Sequence, residues 1–429
     1  MPRRRAPIYL ALALMPALLT VGSTAQADEI FAPTAVVTGF GTQQIKSFDI
    51  SFFSPRHSVY LLADRTNAAV DVVDTKKNKL IKQLTPGFAG ASSLGNDFSG
   101  PNGVLVAEDN DIWVGDGGSK LWVIDLGSGH VDTIINTGGV KRADELCFDP
   151  EDHMVMIAND ADSPPFVTIW DSRQSRGFKM LGKITFSQAT NGIEQCQWDP
   201  RSHRFLLNLP EINGPGDDSV AGGVAVINPK DLTKPERTFV VNHNSCAGPQ
   251  GMALGPTGQV LLGCNAASGD GKFSTVIIDD QATRIVATLN NESGSDEVWF
   301  NPGDGHYFLA RSAAVEPMAA VQTQLLGVID SASKHEDQSV FTANTFTTNP
   351  PTPVNPPTNP PTFVKAATSH SVAADSERNQ VYVPIGAGAS NVCSSVGGSD
   401  TAGCIAVYTT KHDDKVAKND HDHDHDDHH

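Results

Sequence analysis

Short alternating apolar runs, each closed by Asp, Asn, Gly or Pro, recur along this chain in hairpin-like pairs. Val59-Tyr60-Leu61-Leu62-Ala63-Asp64 is followed by Val70-Asp71-Val72-Val73-Asp74, and Ile112-Trp113-Val114-Gly115-Asp116 by Leu121-Trp122-Val123-Ile124-Asp125. Such runs predict strands, and ahead of each pair stands a further run that begins on a polar residue and ends near proline. Three copies are plain: Asp144 to Pro150 (DELCFDP), Glu194 to Pro200 (EQCQWDP) and Asp296 to Pro302 (DEVWFNP). Weaker copies begin at Asp49, Asn102, Gln250 and His370, and the seven starts lie 42 to 74 residues apart.

Units of four short strands at this period predict an all-β fold, a seven-bladed β-propeller with four-stranded blades. The seventh unit supplies only three strands: His370 to Asp375, Gln380 to Pro384 and Cys404 to Thr409. Ala32 to Phe40 (APTAVVTGF) precedes blade one without another partner, so it is expected to add the fourth and cover an open sheet edge. The longest interval holds Asn349 to Phe363, whose seven prolines read as an extended loop inserted between blades six and seven. The domain reading is a leader over 1–27, one propeller over 28–410, and a His/Asp-rich tail over 411–429 that is disordered without metal.

Charge and termini narrow the setting. With 31 Lys+Arg against 49 Asp+Glu the formal net charge is −18, and no basic cluster follows the first residues, which argues against nucleic acid as a partner. Arg3-Arg4-Arg5, the apolar run Ile8 to Val21 and Ala25-Gln26-Ala27 read as a cleaved secretory signal. The run is shorter than the roughly 20 residues that span a bilayer, so a periplasmic or secreted monomer with no membrane span is expected. In an oxidising compartment the 6 cysteines read as three bridges.

The blades, above all Ser54-Pro55-Arg56-His57-Ser58-Val59-Tyr60-Leu61-Leu62-Ala63-Asp64 with its following strand, resemble the YVTN-type repeats of exported seven-bladed propellers. Pro101-Asn102-Gly103 and Asp144-Glu145-Leu146-Cys147-Phe148-Asp149 are similar to blade starts of gluconolactonase-like propellers, whose metal ligands sit there. That likeness implies Glu, Asn and Asp ligands in this column, and Asn102 and Asp144 match it. Blade one departs from the family's Glu-Gly-Pro start, offering Ser47-Phe48-Asp49-Ile50. On the propeller frame the cysteines are expected to pair as Cys147–Cys196 between blades three and four, Cys246–Cys264 around the first hairpin of blade five, and Cys393–Cys404 around a Gly/Ser-rich turn.

Aligning the seven copies puts Asp49, Asn102, Asp144, Glu194, Gln250, Asp296 and His370 at one height, with Glu145 and Glu297 beside them. Inner strands surround the channel, so these polar side chains should converge on one mouth. Carboxylates gathered there call for a bound cation, a shared proton or bulk water. The cation reading assigns Ca²⁺ to Asp49, Asn102, Asp144, Glu194 and Asp296, and the solvated reading assigns only water. Asp420 to His429 (DHDHDHDDHH) is a second candidate, where His421, His423, His425, His428 and His429 suit Zn²⁺, Ni²⁺, Cu²⁺ or Co²⁺.

Two functions follow from these residues. The first is an exported propeller that binds a metal ion, a small molecule or a protein partner at the channel mouth. The alternative is a metal-dependent lactonase or esterase, with Asp144, Glu194 and His370 as catalytic residues. Asp64, Asp116 and Asp160, at the ends of second strands, are read as turn-bonding residues, and Trp113, Trp122, Trp170, Trp198 and Trp299 as packing between blades.

Overall fold

Strand alternation decides the architecture, because both faces of each sheet are apolar. Along Val59–Asp64, Leu61 and Ala63 join Ile112 and Val114 of the next unit, while Tyr60 and Leu62 turn the other way onto Tyr382 and Val407 of the last unit. A sheet buried on both faces needs a neighbour on each side, and a closed ring supplies one to every sheet. The computed structural model describes residues 30–41, 44–108, 110–266, 274–290, 295–311, 324–332, 335–341, 369–388 and 392–411. It contains seven four-stranded antiparallel sheets arranged as the blades of a propeller. Seven apolar clusters fill the seven interfaces between adjacent blades, so the core is a ring of wedges.

The inner strands are Ser51–Ser54, Val104–Ala107, Leu146–Asp149, Cys196–Asp199, Ala247–Leu254, Ser295–Asn301 and Ala373–Asp375. Blade seven takes its outer strand from the start of the described chain. Ile30–Val37 runs antiparallel to Cys404–Lys411, from Ile30↔Lys411 to Val37↔Ile405, with a register shift between Pro33 and Ala35. This clasp begins two residues before Ala32 and ends three before Phe40, the limits expected for it. Phe40 leaves the strand and buries in the cluster between blades seven and one. Pro33 is tolerated because the strand is outermost and needs no donor on its free side. Phe31, 2% exposed, packs edge-on to Phe308 of blade six at 5.2 Å and anchors the clasp to the neighbouring blade.

All three expected disulfides are present: Cys147–Cys196, Cys246–Cys264 and Cys393–Cys404. The first joins the inner strands of blades three and four, and the last ties a short helix, Val392–Ser395, to the strand that receives the clasp. Trp113, Trp122, Trp170 and Trp198 lie at blade interfaces as expected, with Trp113 against Phe178 and Trp122 against Phe88, whereas Trp299 of blade six reaches Phe52 of blade one across the channel. The leader, the proline-rich segment 349–363 and the tail histidines His421, His423, His425, His428 and His429 lie outside the described residues.

Candidate functional site

One backbone bond repeated from blade to blade fixes the site. The N–H of Asp49 donates to Ala63 O at 2.9 Å, Asn102 to Gly115 O at 2.8 Å, Asp144 to Ala158 O at 2.8 Å and Glu194 to Asn208 O at 3.0 Å. These four residues therefore stand at one height where their chains enter the inner strands. Glycine permits the close approach of blades two and three: a Cβ on Gly115 would lie 2.5 Å from Ala143 O, immediately before Asp144.

Side chains from six blades converge at this end of the channel. His370 bridges three of them, with Nε2 at 2.6 Å from Asp49 Oδ1 and Nδ1 at 2.9 Å from Asp296 Oδ2. Burial works against its charge, but Asp296 and Asp49 hold its pKa well above the ordinary histidine value. Both ring nitrogens then donate, and the ring is an imidazolium.

Two arginines that the repeat did not single out complete the ring. Arg65 donates from its guanidinium to Asp49 and, through Nε at 2.8 Å, to Asn102 Oδ1. Asn102 is fully used, since its amide nitrogen reaches Ser99 O at 3.0 Å and Ala143 O at 3.1 Å. Arg142 lies 2.6 Å from Asp144 Oδ2 through Nε and 2.7 Å from Asp160 Oδ2 through the terminal nitrogen. Burial would raise the pKa of Asp49, but Arg65 and His370 hold it below the usual carboxylate range.

Asp160 corrects one expectation. It sits two residues past Ala158, as Arg65 sits two past Ala63, so it belongs to the ring rather than to a turn. Asp64, one residue earlier in its unit, does bond its turn, accepting from Asn67 N at 3.0 Å. Asp116 holds two segments together, accepting from Ala89 N at 3.1 Å and Trp122 Nε1 at 3.0 Å.

Below the ring the channel narrows to a second acidic layer. Glu145 of blade three and Glu297 of blade six, 5% and 4% exposed, face each other across the channel. Two carboxyls so placed share a proton. Burial, reinforced by the mutual charge, raises Glu145 well above the usual range. Gln195 of blade four spans to blades five and six, accepting from Met252 N at 2.5 Å and donating to Val298 O at 3.4 Å. Two residues further along the inner strands, Phe52 of blade one and Trp299 of blade six meet edge to face at 5.8 Å. The mouth thus has a polar floor, and beneath it Phe52 and Trp299 bring apolar surface into the channel.

Charge in the depression is lopsided. Asp49, Asn102, Asp144 and Asp160, on blades one to three, face the two guanidinium groups. On the other side, among the described residues, neither Glu194 nor Asp296 forms an ion pair with lysine or arginine. Burial raises Glu194 well above the usual range, and Asp296, Asp160, Asp144 and Glu145 add to it. Asp144 Oδ1 is buried without a hydrogen-bond partner, as is Gln250 Oε1. Among the described residues no group of three or more His, Cys, Asp or Glu side chains is arranged to hold a metal ion. Among the same residues no helix is long and apolar enough to cross a membrane. No known protein family and no curated protein sequence matches the chain.

Proposed function

We propose that the protein is a binding propeller that receives a positively charged group at its channel mouth. The lopsided charge of the depression carries this reading. Among the described residues Glu194 and Asp296, beside Glu145 and Glu297, form no ion pair with an arginine, and Asp144 Oδ1 points to no donor. Among the described residues seven carboxyl groups gather around Arg65, Arg142 and the His370 imidazolium, so an incoming cation finds acceptors and draws Glu194, which burial holds above the usual range, toward its charged form.

A five-ligand calcium site at Asp49, Asn102, Asp144, Glu194 and Asp296 fits these residues poorly. Arg65 and His370 engage Asp49, Arg65 engages the Asn102 carbonyl oxygen, and Arg142 engages one oxygen of Asp144. The hydrolase reading is weaker still, because an imidazolium bonded through both nitrogens has no lone pair with which to take a proton. Transition-metal binding by His421, His423, His425, His428 and His429 is a separate proposal that rests on the sequence pattern alone.

Thermal-shift titrations of the full-length protein with n-butylammonium chloride and with calcium chloride, at constant ionic strength, test the reading. The ammonium should stabilise the wild type, and the Glu194→Gln/Asp296→Asn variant should lose that response. Stabilisation by calcium alone, lost in the same variant, would replace the organic cation by a metal. No response to either would remove the mouth as a cation site.

A further inference from the structure

Among the described residues the two most exposed large apolar side chains, Leu94 at 75% and Val140 at 73%, stand on the loops that lead into blades two and three at the mouth. Phe98, 36% exposed, lies between them in sequence on a short 3₁₀ turn, Asn96–Phe98. The two loops are fastened together: Arg142 N donates to Asp97 O at 2.7 Å, and Lys141 Nζ lies 2.8 Å from Asp97 Oδ2. Val140 N is itself held by Asp162 Oδ1 at 3.0 Å, so the apolar side chain is presented by a fixed backbone. Exposed aliphatic groups on a held loop beside a polar depression mark an interaction surface.

A short path of contacts leads from this apolar rim to the acidic mouth. Two residues after Val140, Arg142 reaches Asp144 and Asp160. The next blade approaches there, since a Cβ on Gly192 would lie 3.4 Å from Asp160 O, and Glu194 follows two residues later. Lys141 spends its charge on Asp97, so no free cation stands between rim and mouth along this path.

Building on the cationic reading of the mouth, we infer that this face docks a short extended segment of a partner protein carrying an apolar side chain next to a lysine or arginine. The apolar side chain lies on Leu94, Phe98 and Val140, and the cationic one enters the depression toward Glu194 and Asp296. An extended chain advances about 3.3 Å per residue with side chains alternating in direction, so a few residues bridge the Arg142–Asp160 pair between the two subsites. Charge decides between occupants. With a net charge of −18, the protein is repelled by anionic lipid surfaces and by a second copy of itself, whereas a basic segment is attracted.

The test uses full-length protein and three fluorescein-labelled octapeptides, alternating leucine with lysine, serine with lysine, and leucine with glutamate. Fluorescence anisotropy at about 150 mM salt suppresses long-range attraction to the acidic surface. The leucine–lysine peptide should bind, the serine–lysine peptide at least about tenfold more weakly, and the leucine–glutamate peptide not at all. Leu94→Ser/Val140→Ser, at exposed positions that leave the core untouched, should weaken the first peptide by about tenfold, and Glu194→Gln/Asp296→Asn should do likewise. If only the mouth variant weakens binding, the docking surface is wrong and the cationic mouth stands. If only the rim variant does, the two-subsite arrangement is overturned, and if neither does, both readings fail.

Discussion

Replacing Arg142 with glutamine removes the cation that two buried carboxylates share. Arg142 is 16% exposed in its side chain, against 4% for Asp144 and 7% for Asp160, so little water is at hand to take over. Breaking a buried pair by deleting one partner costs about 3–5 kcal/mol, because the remaining charge is left without compensation. For a ring of this size the unfolding entropy is about 0.8 kcal/mol per kelvin, which converts that cost to a fall of about 4–6 °C in Tm. The sign of its pH dependence follows from the acids. Burial raises Asp144 against the pull of Arg142, with Asp160 and Asp49 adding to the rise, and losing Arg142 raises it further. A raised carboxyl pKa gives stability that is present below the unfolded value of about 4 and is lost as pH climbs through the folded value. The deficit of Arg142→Gln should therefore be smallest near pH 4 and grow toward pH 7. Thermal melts of wild type and variant across that range measure it, and adding Asp160→Asn should recover part of the loss at pH 7. An equal deficit at pH 4 and pH 7 would mean that Arg142 acts by packing and not by charge. That result would refute the electrostatic account of the ring.

Two further outcomes bear on the floor and the clasp. Glu145→Gln should be neutral or stabilising at pH 7 and should flatten the alkaline loss of stability, since an amide donates to Glu297 without the shared proton; melts from pH 5 to 9 that run parallel to wild type would contradict the pairing. Deleting residues 30–37 removes the buried Phe31 and Val37, worth about 1.5–3 kcal/mol each, and opens a sheet edge, so Tm should drop and sedimentation should show self-association, whereas an unchanged melt would contradict the clasp.

The repeat was legible because a blade imposes two regularities on its sequence. Alternation with apolar residues on both faces, as in Tyr60-Leu61-Leu62-Ala63, records a sheet packed on two sides, and the polar residue before each inner strand records the channel. The clasp was legible by elimination, although its limits were not. Which of residues 30 to 40 pair depends on Phe31 finding Phe308 in blade six, a contact about which the local pattern is silent. The disulfides followed from the frame, since Cys147 and Cys196 sit on neighbouring inner strands.

The site was legible only in half, and the missing half changes its chemistry. Asp49, Asn102, Asp144, Glu194, Gln250, Asp296 and His370 could be aligned because each precedes an inner strand. Read without counter-charges, such a column looks like a cage for a hard cation. Arg65 and Arg142 lie outside it, one two residues beyond a second strand's Ala63 and the other two residues ahead of Asp144, where no apolar period marks a place. A signal was nevertheless present. Buried acids need partners, and these arginines are the cations that stand within two residues of the repeat frame in blades one and three. Following that requirement from blade to blade would have paired Asp49 with Arg65 and Asp144 with Arg142, and it explains why, among the described residues, a nearly uniform column carries its guanidinium ion pairs on the side of blades one to three.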